Sequence, residues 1–163
     1  MGTFALQIAA WVEKTKDDLD KVTRYALQSI DGRLVQRSPV GDASYWIHKP
    51  PKGYMGGRFR GNWQMSIGSP AAGVLDVIDK DGRATQAAHA GVVGAAKAGQ
   101  VFYLMNNLPY ANRIEKGWSR QAPVGLVALT VVEWNNIVDA AVNGVRSGTS
   151  AGDFAQGYQS YAP

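Results

Sequence analysis

The sequence predicts an α+β fold: a small antiparallel or mixed β-sheet packed against a long N-terminal helix and a C-terminal helix. Three patterns predict it. Apolar residues recur every three or four positions from Phe4 to Ile30, and again from Val127 to Val145. Between these stretches lie two short segments, 63–67 and 100–106, that alternate or run apolar over the length of a strand.

The first helix is expected over residues 3–30. Phe4, Ile8, Trp11 and Thr15 begin a stripe that Leu19, Val22, Ala26 and Ile30 continue, and charges of both signs from Glu13 to Arg24 fill the rest of the surface. Asp31-Gly32 is expected to weaken or kink it, and Ser38-Pro39 to oppose any continuation. Residues 38–62 hold three prolines and five glycines, which predicts a long loop. Its aromatic residues, Tyr45, Trp46, Tyr54 and Phe59 among them, imply that it orders against something.

Trp63, Met65 and Ile67 alternate with polar residues, and Val74 to Ile78 reads as a second short strand, so a β-hairpin is expected over 63–78. The Ala-rich residues 84–97 read as a helix, despite Gly91 and Gly94. "QVFYLMN", 100–106, reads as a buried strand. Val127, Val131, Trp134, Val138, Ala141 and Val145 form one helical seam, with Pro123 near its start and Gly144 near its end. β-branched residues at 124–132 keep a strand open as a second reading there. One domain is expected over 1–146, with an inserted aromatic loop at about 41–57. A flexible tail over 147–163 would order on assembly.

Composition narrows the function. Charged residues make up 18% of the chain, below the roughly 25% of a typical soluble domain, while five Trp and seven Tyr are present. Low charge with many aromatics suggests surface covered by partners, or simply an aromatic core. With no cysteine, disulfides, Cys-based zinc sites and a cysteine nucleophile are excluded. The N-terminus shows no basic stretch of a signal peptide, and no apolar run reaches the length of a membrane span. Six Lys/Arg against Asp42 alone between Arg33 and Arg60 suggest a local basic surface, either solvated or turned to nucleic acid or an acidic protein face.

Motifs for chemistry are missing. No HExxH, zinc spacing, P-loop or Gly-x-Ser-x-Gly elbow occurs. A Ser–His–acid site is not excluded by that, because its members meet only in space. His48 reads as a solvated loop residue and His89 as an ordinary helical one. Asp76, Asp79 and Asp81 read as surroundings of a hairpin turn at Asp81-Gly82 rather than a calcium loop. Glu115, flanked by Arg113 and Lys116, is expected to make a surface salt bridge. No cofactor, metal or catalytic residue is expected, and the chain reads as a non-enzyme.

One segment is richer. In "NNLPYANRIEKGWSRQAPVG", Asn107, Pro109 and Tyr110 would turn and stiffen the chain, Glu115 to Gly117 would end a short helical turn, and Trp118 and Pro123 would pack on either side. On this stretch, together with "SPVG" at 38–41 and "GGRFRGNW" at 56–63, the chain resembles a family of tailed-phage neck proteins, which complete the tail and join it to the head. The likeness in order of elements runs over about residues 4–145. It implies a structural virion protein, a homo-oligomeric ring of six copies around a DNA channel. Its neighbours would be the head connector and the tail-terminator or tail-tube proteins. DNA would pass through without sequence-specific binding, and no membrane would be involved. The alternative is a nucleic-acid-binding module using the basic aromatic segment 33–60. Arg58 and Arg60, on either side of Phe59, are expected to face a partner or the channel. Trp63, Tyr110 and Trp118 are expected to be packing residues, and Tyr45, Trp46, Phe154, Tyr158 and Tyr161 to anchor the loop and tail to other subunits.

Overall fold

The computed structural model describes residues 3–42, 49–50 and 52–156. It is an α+β fold whose longest element is one helix, α1 (Thr3–Gln36). Ion pairs one turn apart support its exposed half: Lys14–Asp18 at 2.6 Å and Lys16–Glu13 at 2.8 Å. Pairs of this kind contribute a few tenths of a kcal/mol each. The expected weakness at Asp31-Gly32 is absent. Both residues are buried and α1 continues to Gln36. Asp31 does not compete for its own backbone, because its carboxylate is bonded to His89 from another element. The helix ends where Ser38 Oγ donates to the Leu34 carbonyl and Arg60 donates to the carbonyls of Gln36 and Ser38. These bonds satisfy acceptors that the last turn leaves open.

The sheet has two antiparallel strands, β1 (Trp63–Ile67) and β2 (Phe102–Asn106), with Trp63 opposite Asn106 and Ile67 opposite Phe102. The expected hairpin is therefore corrected: residues 74–78 form no strand. Side chains hold that segment in place of a ladder. Asn62 Oδ1 accepts from the Leu75 amide, and Gln64 Nε2 donates to the Gly73 carbonyl. β2 is half-buried rather than buried. Between the strands lies α2 (Arg83–Ala95), which packs on α1 and β1. The turn before it serves α2: Asp79 accepts from the amides of Gly82 and Thr85 and from the Thr85 hydroxyl, at 2.7–2.9 Å.

After the short α3 (Ala111–Glu115) come α4 (Val127–Val132), α5 (Trp134–Ser147) and α6 (Ala151–Gln156). α5 runs antiparallel to α1, with Glu133 beside Arg33 and Arg37 at one end and Gly144 against Tyr25 at the other. The single seam expected from Val127 to Val145 is corrected in two ways. The helix breaks at Glu133, and the buried stripe is Leu126, Thr130, Ile137, Ala141 and Gly144. Val127, Val131 and Trp134 stay exposed. The two arginines fix this rotation by drawing Glu133 towards α1. Gly144 does not stop the helix. It lets α6 approach, since a Cβ there would lie 2.9 Å from the Phe154 ring. Pro123 likewise lies in the loop before α4 rather than in its first turn.

Three apolar clusters fill the interior. Leu34, Val35, Phe59, Trp63, Leu108, Ala122 and Leu126 form one, Leu27, Met65, Val93 and Ala96 the second, and Tyr25, Ala141 and Phe154 the third. Phe154 was expected to anchor a partner. It stacks instead on Tyr25 of its own chain, centroids 4.4 Å apart. Residues 151–156 thus belong to the folded body, which corrects the expectation for that part of the tail. Tyr45, Trp46, Tyr158 and Tyr161 lie outside the described residues. The base of the aromatic loop is closed, because the Gly57 amide donates to the Val40 carbonyl at 2.5 Å.

Candidate functional site

The segment from Asn106 to Ala128 folds into a corner locked by its own side chains. Asn106 Nδ2 donates to the Phe59 carbonyl at 2.8 Å, and Asn107 Nδ2 to the Ala71 carbonyl at 3.0 Å. Leu108 is buried behind them, while Pro109 and Tyr110 face outward. The Tyr110 ring leans on Phe59, with centroids 6.2 Å apart. Burial pushes its phenol up in pKa, against the pull of the Arg58 charge.

Glu115 carries the corner. Its carboxylate accepts from the amides of Leu126, Val127 and Ala128 at 2.9, 3.0 and 2.8 Å. These are unpaired donors at the start of α4, where a negative charge is stabilising. Burial raises the carboxyl pKa and the three amides lower it; the amides win. The expected salt bridge with Arg113 or Lys116 is therefore corrected to a helix cap supplied from a distance. Two glycines allow the approach. Gly125 has φ 79°, and a Cβ there would lie 2.5 Å from the Glu115 carbonyl and 2.7 Å from its carboxylate. Gly117 also has φ 79° and lies against the Pro123 carbonyl. Left-handed backbone with no room for a side chain is open only to glycine.

Trp63 is buried as expected, with Nε1 donating to Ser38 Oγ at 2.7 Å. Trp118 is not a packing residue. It is 73% exposed, with the Arg113 guanidinium 5.3 Å from its ring centroid. Arg58 is exposed, but Arg60 turns inward, donating to the carbonyls of Gln36, Ser38 and Lys80. The shared direction expected for the two arginines required an extended chain. Phe59 between them is helical instead, at φ −65° and ψ −46°.

Arg33 and Arg37 are also committed inward. Arg33 Nε lies 2.7 Å from Glu133, and Arg37 grips the same carboxylate with both terminal nitrogens at 2.9 and 3.0 Å. The basic surface expected over 33–60 thus loses three of its six cations. On Glu133, burial raises the pKa and the two guanidinium groups lower it, with a net fall.

The sequence reading missed one buried ionic group. His89 Nδ1 lies 2.7 Å from Asp31 and Nε2 lies 3.0 Å from the Trp63 carbonyl, with both side chains almost fully enclosed. Two acceptors need two N–H donors, so the charged imidazolium is the form that fits. Burial alone pushes the His89 pKa down. The hydrogen bond and charge of Asp31, with the Trp63 carbonyl, push it up and prevail. His89 is therefore no ordinary helical residue. No spacing rule would have found a pair 58 positions apart.

A groove of about 440 Å³ runs between α1 and α2, lined by Arg24, Gln28, Asp31, Gln86 and Val93 among others. Asp31 there is held by His89, and Arg24 donates to the Ala96 carbonyl. Three further carboxylates are held as well: Asp79 on α2, Glu115 on α4 and Glu133 between two arginines. Compared with known proteins, the chain matches no family model, no curated protein and no solved structure. No helix among the described residues is long and apolar enough to cross a membrane.

Proposed function

We propose that this chain is a structural virion protein of a tailed bacteriophage, a tail-completion or neck component that joins the tail to the head connector. It would act as a homo-oligomeric ring around the DNA channel, six copies being the number the resemblance implies. The observation that carries the reading is the corner at 106–128. The residues on which the resemblance rests are used to fix a shape: Asn107 on a loop carbonyl, Glu115 on three amides, Gly117 and Gly125 in close contacts. A segment so closed on itself presents Pro109, Tyr110 and Trp118 outward on a rigid frame. The buried carboxylates are engaged in structural bonds, which also favours a scaffold over a hydrolase.

The rival reading, nucleic-acid binding through 33–60, is weakened because Arg33, Arg37 and Arg60 face inward. Removing the gene from its phage should yield filled heads and separate tails, and supplying it in trans should restore joined particles. Cryo-EM of the intact particle should then show the chain between head connector and tail. Normal joined particles without the gene would overturn the proposal. Salt-dependent DNA affinity of the isolated protein, with no role in joining, would favour the rival.

A further inference from the structure

Two apolar faces of the described molecule lie uncovered, at opposite ends. The first is the N-terminal half of α1. From residue 25 to 35 this helix is buried on nearly every side, whereas from Thr3 to Leu19 only Val12 and Asp18 are even half-buried. The apolar stripe is nonetheless continuous there, with Phe4 at 74%, Ile8 at 47%, Trp11 at 64% and Leu19 at 53% exposure. The second face is on α4 and the start of α5, where Val127, Val131 and Trp134 are 44%, 65% and 51% exposed, and exposed Val124 and Trp118 precede them in the corner. An amphipathic stripe that meets nothing among the described residues is unexplained by the described fold.

We infer that these two faces are the donor and acceptor of one head-to-tail contact: the α1 arm of each copy lies on the Val127–Val131–Trp134 stripe of the next. Three observations select a second copy as the occupant. The first is position. The stripe sits at the Arg33–Arg37 end of α1, and the near end of the arm, Leu19, is 18 residues before Arg37, about 27 Å along the helix at a rise of about 1.5 Å per residue. A chain with donor and acceptor at opposite ends associates head to tail, which closes into a ring when the rotation allows.

The second is charge. The arm from Thr3 to Leu19 carries Glu13, Asp17 and Asp18 against Lys14 and Lys16, which pair with Asp18 and Glu13 and leave Asp17 as the excess acid, while Arg113, Lys116 and Arg120 precede the stripe. The one acid beside those three, Glu115, is turned onto the amides of α4. The third is size. With aromatic side chains carrying roughly 150–250 Å² each, either face offers on the order of 500 Å² of apolar surface. Pairing them covers about 1,000 Å², close to the apolar share of a standard stable interface. One contact, repeated, covers both faces on every copy. The inference rests on the ring of the proposed function, but not on where in the particle that ring sits.

Complementary variants test it in the purified chain. Sedimentation velocity should show a closed oligomer for the wild type, and circular dichroism should show Trp11→Glu and Trp134→Glu as folded as the wild type, since both rings are largely exposed. Trp11→Glu lacks a working arm and keeps the stripe; Trp134→Glu is the reverse. Each alone should be monomeric. Mixed one to one, they should give heterodimers and nothing larger, because only one productive contact remains. A monomeric wild type, assembly by either variant alone, or a mixture that stays monomeric would each overturn the inference. The absence of native cysteine allows a second reading by disulfide trapping. Mixed Ile8→Cys and Val131→Cys chains should form the 8–131 crosslink between copies, and exclusive 8–8 or 131–131 products would sink the head-to-tail arrangement. Trp11→Glu particles that still join heads to tails would remove this contact and leave the neck function. Rings in solution from a chain not needed for joining would do the reverse.

Discussion

His89 and Asp31 form a charged pair inside the protein, and its sign on stability follows from the raised histidine pKa. The unfolded histidine titrates near about 6.5. The pair's contribution is therefore fully present below that pH and is lost as pH rises through the higher folded value. Thermal melts from pH 6 to 9 should show wild-type stability declining across that window, with His89→Gln lacking the decline. At pH 6 the variant should be less stable by about 3–5 kcal/mol, the usual cost of leaving one buried charge unpaired. Parallel curves for the two proteins would contradict the imidazolium assignment. Glu115 has the opposite sign. Its depressed pKa gives stability that is present above about 4.3 and lost as pH falls through the folded value. Glu115→Gln should lower the urea midpoint at pH 7 by the equivalent of about 1–3 kcal/mol and flatten the acid limb. An unchanged midpoint would mean that α4 does not need its cap.

Among the elements, aromatic type was no guide to role. Trp63 and Trp118 were expected to pack alike, yet β1 places the first within the core and the corner turns the second to solvent. Trp63→Ala should cost about 3–5 kcal/mol and Trp118→Ala no more than about 1 kcal/mol, which calorimetry of the two variants distinguishes. α6 is a short helix whose place depends on one ring. Phe154→Ala opens a cavity between Tyr25 and Gly144 and should cost about 3–5 kcal/mol. A melting temperature within a degree of wild type would return residues 151–156 to the status of an accessory tail. The strand expected at 74–78 rested on an apolar run, but the segment pairs with no strand. Side chains hold it instead, Asn62 at the Leu75 amide and Gln64 at the Gly73 carbonyl just before it, and nothing in local pattern signals that capture.

At the scale of the molecule, α1 divides into a buried shaft and an uncovered arm, although the sequence stripe passes through both without interruption. Hydrogen exchange should expose the division. Amides of residues 5–19 should exchange quickly in dilute monomer and be protected on assembly, whereas those of 27–35 should be protected in both states. Equal protection of the arm in monomer and oligomer would show that the monomer already covers it.

The sequence by itself determined the type and order of most helices and strands and some of their ends, because prolines, glycines and apolar periodicity act over a few residues. Thus α1 stops before Pro39, α2 and β2 fall within two residues of their expected bounds, and the corner at Asn107–Tyr110 turns as its residues require. Tertiary structure alone decided which side of each helix is buried, which strand β1 pairs with, and which charges meet. Asp31 with His89, Arg37 with Glu133 and Phe154 with Tyr25 are joined across long stretches of chain. Such contacts have no characteristic spacing, so they are fixed only when burial leaves each charge or ring a single place to be satisfied.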